Sequence, residues 1–281
     1  MTPAPTGWTV DPRAEGRSLQ DFLAERLQAS RNKAKELIDS RNVIVNGRRV
    51  WMARHRLVAG DRVELAAGQT PLSPAAEDAL RPLVEDGGIL VVSKPPGLLT
   101  TGPGSLETRV RDARKNPAWR AVHRLDRDTS GCVLMTDDDG LFDALVERFR
   151  AREILKVYHV IVKGHFAAAE RTLHGPIEGQ EAITRLRRLD AGDFASHLSA
   201  RIETGRTHQI RRHLADAGFP VLGDRLYGPK KVDDRRLMSV PRQMLHASVL
   251  EFPHPRTDRR MRAEAPMPPD FRACLRAFKL T

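Results

Sequence analysis

Asp126 is the carboxylate in this chain best placed to do chemistry. It stands in His123-Arg124-Leu125-Asp126-Arg127-Asp128-Thr129-Ser130-Gly131, between two arginines, after the apolar lead-in Ala121-Val122 and before a Thr-Ser-Gly turn. An aspartate in such a place is either a turn residue or a carboxylate held ionised, because a nearby guanidinium favours the charged form. An ionised carboxylate is available for nucleophilic work. Three other segments carry polar side chains. Phe149-Arg150-Ala151-Arg152-Glu153-Ile154-Leu155-Lys156-Val157-Tyr158 leads to one of only two tyrosines in the chain. Most tyrosines are core or edge aromatics, which is the plain alternative here. In Thr204-Gly205-Arg206-Thr207-His208-Gln209-Ile210-Arg211-Arg212-His213, Gly205 is expected to make a turn and Thr207 to cap a helix. The positive end of that helix would sit beside the polar residues; a basic solvated helix with two incidental histidines is the alternative. Leu222-Gly223-Asp224-Arg225-Leu226-Tyr227-Gly228 is a turn-rich loop that means little alone. His208 and His213 are five apart, the wrong spacing for a helical metal pair. No Walker sequence, dinucleotide glycine motif or metal-ligand cluster is visible, so neither cofactor nor metal is expected.

The elements that must position these groups follow from pattern and composition. The 281 residues allow one large domain or two unequal ones. With 40% apolar and 30% charged residues the chain reads as soluble and globular. Its net charge of +11, mostly arginine, points to an acidic polymer as partner, nucleic acid ahead of membrane. Arginine enrichment of the whole proteome would leave the same trace. Cys132 and Cys274 lie far apart, which argues against a disulfide framework and for a reducing cytoplasm. No signal peptide and no stretch near the roughly 20 apolar residues of a membrane span is seen.

Residues 1–15 read as a tail and 16–66 as a small α+β unit. Leu19, Phe22, Leu23 and Leu27 fall on one helical face, and Ser30 offers a cap to a second helix. Asn46-Gly47 between Val43-Ile44-Val45 and Arg48-Arg49-Val50 is a strong hairpin signal. From Arg13 to Glu64 there are twelve Lys/Arg against seven Asp/Glu. A linker, 67–80, follows. The domain 81–281 alternates strand-like segments (Ile89–Ser93, Cys132–Thr136, Ile154–Val162, Leu198–Glu203, Leu245–Phe252) with helices at Asp139–Arg150 and Thr207–Ala217, the latter stopped by Gly218.

The first unit resembles the S4-type RNA-binding domain over about fifty residues: two short helices, a basic Val-Asn-Gly hairpin and a Gly-Asp turn. The resemblance implies that the second helix (Arg31, Lys33, Lys35) and the hairpin (Arg48, Arg49) grip structured RNA through phosphates and shape. The second domain is similar to the RluA-type pseudouridine synthase family along nearly all its length. The match runs through Ile89 to Gly97, the Asp126 motif, Lys156-Val157-Tyr158, Thr204 to Leu214, Leu222 to Gly228 and Leu245 to Pro255.

That resemblance implies an α+β fold with a mixed, mostly antiparallel curved sheet and a central cleft. It implies an isomerase that turns uridine into pseudouridine in RNA. Asp126 would be the catalytic carboxylate, Tyr158 the ring stacked on the flipped base, and Arg211 the ion-pair partner of the aspartate. Arg124 would fill the gap left by the extruded nucleotide, and Arg206 would contact RNA. The expected target is large-subunit ribosomal RNA, served by a cytoplasmic monomer without a membrane partner. The same chemistry on transfer RNA, and a catalytically silent RNA-binding or ribosome-assembly factor, are the alternatives. Two features depart from the family pattern. The segment between Gly164 and Thr204 is short, and the acidic run Asp137-Asp138-Asp139 is more similar to a sister family acting on small-subunit RNA.

Overall fold

A computed structural model of the chain describes residues 7–39, 43–50, 52–65, 80–229, 237 and 240–281. The expected linker lies outside the described residues except for Leu80, as do the side chains of Lys33, Arg48 and Arg49. The chain divides into two units, Met1–Ser73 and Pro74–Thr281.

In the first unit Ser18 caps α1 (Leu19–Arg26) by accepting the Asp21 N–H, which satisfies an otherwise orphaned helix donor. Leu19, Phe22 and Leu23 of α1 share a core with Ala34 and Ile38 of α2 (Arg31–Asp39). Asn46 and Gly47 both adopt positive φ, 51° and 72°, as a type I′ turn requires. They join β2 (Val43–Val45) to β3 (Arg48–Arg49). The Asn46 amide donates to Asp61 (2.8 Å) and its carbonyl accepts the Arg62 N–H (2.8 Å), fixing the hairpin against β4 (Arg62–Leu65). The tail expected through residue 15 is corrected by the structure. Gly7–Thr9 forms β1, which pairs with β4 and gives the sheet order β1-β4-β2-β3. Asp11 caps a 3-10 turn at Pro12–Ala14, and Val10 and Ala14 are buried in this core. A three-residue strand is too short to show alternation; its partner strand defines it.

The second unit is built on ten strands, in the order β10-β11-β12-β9-β13-β8-β6-β5, with β14 on β13 and β7 on β8. The central members are β6 (Ile89–Lys94), β8 (Ser130–Thr136), β9 (Leu155–Lys163), β12 (Ala195–Ile202) and β13 (Leu245–Pro253). β5 (Pro82–Asp86), β7 (Arg120–Ala121), β10 (Glu170–His174), β11 (Ile183–Ala191) and β14 (Arg260–Glu264) complete it. Every described pairing is antiparallel except β8 with β13.

Alternation along the strands splits the core in two, because successive side chains point to opposite faces. Val133, Met135, Tyr158, Val160 and Ala200 pack with Leu106 and Val110 of α3 (Leu106–Arg114) and with Ile210 and Leu214 of α5 (Gln209–Asp216). Cys132, Leu134, Ile89 and Val91 pack on the other side with Leu141 and Leu145 of α4 (Asp139–Arg150). α6 (Pro269–Ala277) covers Ile161 and Met244 with Phe271 and Cys274. Both cysteines are buried and free. The parallel contact depends on Gly131, at φ 117°: a Cβ there would stand 2.1 Å from the Ala247 carbonyl oxygen. The architecture is a mixed, mostly antiparallel sheet with helices on both faces. No helix among the described residues is long and apolar enough to cross a membrane.

Candidate active site

Asp126 lies in the loop between β7 and β8, and the chain ties that loop down from three sides. The Thr100 hydroxyl donates to the Leu125 carbonyl (3.0 Å) and accepts the Leu125 N–H (3.1 Å). The Thr129 N–H closes a turn onto the Asp126 carbonyl (3.1 Å). Lys94, fully buried, donates from Nζ to the carbonyls of Pro95 (3.0 Å), Leu98 (2.7 Å) and Arg127 (2.9 Å). Those acceptors use all three ammonium protons. Burial pushes Lys94 down to about 7, against the opposing charge of Asp128. From the far side buried Arg242, held by Asp270 (2.7 and 3.0 Å), donates to the Asp128 carbonyl (2.9 Å), and Gln243 donates to Thr129 (3.2 Å).

The Asp126 side chain is 25% exposed, and its Oδ2 accepts from Arg211 Nη1 at 2.8 Å. Arg211 is itself 7% exposed and engaged on its other edge by Asp224, which accepts from Nε (2.6 Å) and Nη2 (3.0 Å). The Asp224 carboxylate, 1% exposed, also accepts the N–H groups of Leu226 (2.9 Å) and Tyr227 (3.1 Å). Burial alone would push Asp224 up. The Arg211 hydrogen bonds and charge, with the two backbone donors, reverse this and hold it below its ordinary value. Burial would lower Arg211, but Asp224 and then Asp126 raise it above its ordinary value. Asp224 is a member of the site that the sequence does not single out. Its segment reads only as a turn, and nothing local shows that its carboxylate meets a buried guanidinium.

The start of α5 differs from the sequence expectation. Gly205 has no positive φ, and an added Cβ there would meet nothing within 4 Å. The left-handed residue is His208, at φ 56°, which is also the N-cap position, so Thr207 does not cap the helix. No side chain caps the helix, and Gln209 instead fixes the segment that precedes it. Its carbonyl oxygen accepts from the Thr204 hydroxyl (2.7 Å) and the Arg206 N–H (3.1 Å), while its amide donates to the Ile183 carbonyl (2.9 Å). Gly218 ends the helix as expected, with Phe219 N–H on the Leu214 carbonyl (2.8 Å), a Schellman closure. The two histidines serve different networks. His208 Nε2 is 3.6 Å from Asp126 Oδ1 and its Nδ1 is 3.0 Å from the Tyr227 hydroxyl; buried His213 bonds Thr184 (3.0 Å).

Asp126 opens into a cleft of about 890 Å³, lined also by Arg124, Tyr158, Lys156, Arg206 and His208. Tyr158 sits on β9 opposite Ala200 of β12 and Ala247 of β13, buried but at the lining of the cleft. Burial, then the Asp126 charge, pushes the Tyr158 phenol up, so it stays protonated at neutral pH. Arg124 is exposed at the cleft, and Arg206 donates to the Glu181 carbonyl (3.2 Å). Asp126, Tyr158, Arg124, Arg206 and Arg211 are thus brought together. In the first unit Arg31 is exposed and pairs with Asp21 (3.0 Å), and Lys35 is exposed.

Residues 88–216 match the family model for RNA pseudouridylate synthase, and residues 17–63 match the S4 domain. The chain is 30% identical over 298 residues to the ribosomal large subunit pseudouridine synthase D of Buchnera aphidicola subsp. Schizaphis graminum, covering 94% of this chain and 95% of that protein. It is 33% identical to the protein of that name from Xanthomonas campestris pv. campestris, over 96% of this chain and 91% of the relative. Among solved structures, human RNA pseudouridylate synthase domain containing 4 superposes with a TM-score of 0.61 at 22% identity, over 74% of this chain and 96% of that one, a likeness of fold. The chain belongs to the RNA pseudouridylate synthase family, isomerases that convert uridine to pseudouridine in RNA, and carries an S4 domain in its first unit.

Proposed function

We propose that this enzyme acts on large-subunit ribosomal RNA, and that Asp126 is the carboxylate that acts at the sugar of a uridine extruded from its helix. The observation that carries this reading is the Asp126 carboxylate at the cleft, with Oδ2 on buried Arg211 and the side chain partly open to solvent. The relatives' names carry the target. The reaction breaks the C1′–N1 bond, turns the uracil and closes a C1′–C5 bond. The C5 proton leaves and N1 takes up a proton, so nothing is gained or lost overall and no redox partner is required. Addition of Asp126 to C1′ and removal of a sugar proton both begin from the same ionised oxygen. One carboxylate suffices because the uracil is retained, whereas a glycosidase uses a second acid to expel its leaving group.

A base cannot turn inside a helix. Extrusion costs a few kcal/mol, which stacking on Tyr158 offsets by about 1–3 kcal/mol. Arg124, exposed beside Asp126, fills the vacated stack, and Arg206 and the basic face of α2 contact RNA. Asp126→Asn is expected to abolish tritium release from ribosomal RNA labelled at uracil C5 while RNA binding persists; retained turnover refutes the role. Site-resolved pseudouridine maps from cells lacking the protein decide the target. Loss confined to transfer RNA moves the substrate there, and no loss at all supports a silent RNA-binding factor.

A further inference from the structure

Lys156 lies on β9 two residues before Tyr158, so the two side chains share a face of the strand. Both line the cleft. Lys156 is only 6% exposed. Among the described residues its ammonium makes no hydrogen bond and no ion pair; it sits 5.5 Å from the centre of the Phe149 ring. The charges around it are of its own sign. Burial first, then Arg152 and Arg206, push it down to about 8. Glu181 fixes both arginines, its carboxylate on Arg152 (2.7 Å) and its carbonyl on Arg206 (3.2 Å). The neighbouring His123 supplies no counter-charge: its Nε2 accepts the Leu134 N–H (3.1 Å), and burial, then Lys156, pushes it down to about 4. Glu203, the other carboxylate lining the cleft besides Asp126, is taken by Arg185 (2.6 Å).

A cation held largely out of water without an anion is costly. The fold keeps one here and places two more cations beside it. We propose that Lys156, flanked by Arg152 and Arg206, is an anion subsite that takes a backbone phosphate of the RNA next to the extruded uridine. This rests on the reading of the cleft as the place where the target nucleotide enters. A nucleotide that brings its sugar to Asp126 brings its phosphodiester into the same cleft, and the phosphate supplies the charge that the protein withholds.

The test uses the full chain carrying Asp126→Asn, so that RNA is bound and not converted, and a transcript of large-subunit ribosomal RNA titrated over a range of KCl. Each neutralised phosphate adds about 0.7–0.9 to the slope of log K against log salt. Adding Lys156→Met should lower the slope by that amount and weaken binding by about 5-fold at 0.15 M salt. Lys156→Arg should restore both. Lys156→Met should melt no lower than its parent, since it removes an uncompensated buried charge. An unchanged slope with the fold intact overturns the inference. So does loss of inorganic phosphate binding without a change in the RNA slope, which would make this a site for a free anion. Tritium release by the wild-type enzyme is scored separately. If it fails while the slope still falls, the subsite stands and the assigned reaction does not.

Discussion

Replacing Asp224 by Asn separates the support of the site from its chemistry. The carboxylate accepts four hydrogen bonds, Oδ2 from Arg211 Nε and Oδ1 from Arg211 Nη2 and the N–H groups of Leu226 and Tyr227. An amide has an acceptor at one end and two donors at the other. In either orientation it turns N–H groups against donors, and Arg211 loses half of its counter-charge in a buried place. Removing one member of a buried pair typically costs about 3–5 kcal/mol. Displacement of Arg211 by about 1 Å would misplace Asp126 and lower turnover on the order of 10²-fold. Asp126→Asn offers the contrast: Asp126 is partly exposed and its loss leaves Arg211 bound to Asp224, so stability should fall by less than about 1 kcal/mol. Urea unfolding gives the stabilities, and single-turnover tritium release from labelled RNA gives the rates. An Asp224→Asn enzyme with wild-type stability and rate refutes the idea that Asp224 holds Arg211 in place for Asp126.

Two further outcomes follow from buried groups. Gly131→Ala drives a Cβ into the Ala247 backbone at a residue with φ 117°; strain and overpacking of about 1–3 kcal/mol each should destabilise the second unit by about 2–6 kcal/mol, whereas Gly205→Ala, with open space around it, should be near neutral in a thermal melt. Acid should destabilise the fold through His246, which burial pushes down to about 4 and whose ring bridges Ser130 (3.0 Å) and the Ala265 carbonyl (3.1 Å). The unfolded chain binds this proton near pH 6.5 and the folded chain does not, so the stabilisation is complete above 6.5 and is lost as pH falls toward 4; about 2 kcal/mol should disappear between pH 7.5 and 5, and a flat urea midpoint over that range would contradict the burial.

Much of this architecture was legible wherever a local rule and the tertiary environment agree. α4 spans Asp139–Arg150 as the apolar spacing indicates, because Asp138 caps it (2.7 Å to the Leu141 N–H) and Leu141 and Leu145 face the core. Asn46-Gly47 could be read because only its turn type accepts two consecutive positive φ values. α6 was hidden by Pro266, Pro268 and Pro269, which read as a loop although proline suits the first turn of a helix. At His208 the local rule misled. Glycine is the usual left-handed residue, yet His208 takes that conformation while its ring bonds Tyr227, nineteen positions along the chain. Asp224 and Lys94 escaped notice for the same reason: each acts through an atom brought to it by the fold, Arg211 Nε and the Arg127 carbonyl.

The way charge is distributed beneath Asp126 explains why a second carboxylate belongs there. On the proposed reading, an anion at the floor of this cleft would be repelled by the phosphates of bound RNA, so it needs a cation close by. A lone arginine would hold it but also neutralise it, and a quenched carboxylate is a poorer nucleophile. Sharing Arg211 between Asp126 and Asp224 gives three groups with a net charge of −1. Asp224, deeper and bound to two backbone donors, takes the better part of the guanidinium. Asp126 keeps one hydrogen bond from it on Oδ2, and Oδ1 carries the less compensated charge. The same logic separates the other buried cations of this region. Arg242 is matched by Asp270 and Lys94 by three carbonyls, whereas among the described residues Lys156 has neither a hydrogen bond nor an ion pair, only the Phe149 ring 5.5 Å away. On the proposed reading, the positive potential left over lies in the cleft, where focusing between low-dielectric walls would act on an incoming polyanion, and not at the carboxylate assigned to the reaction.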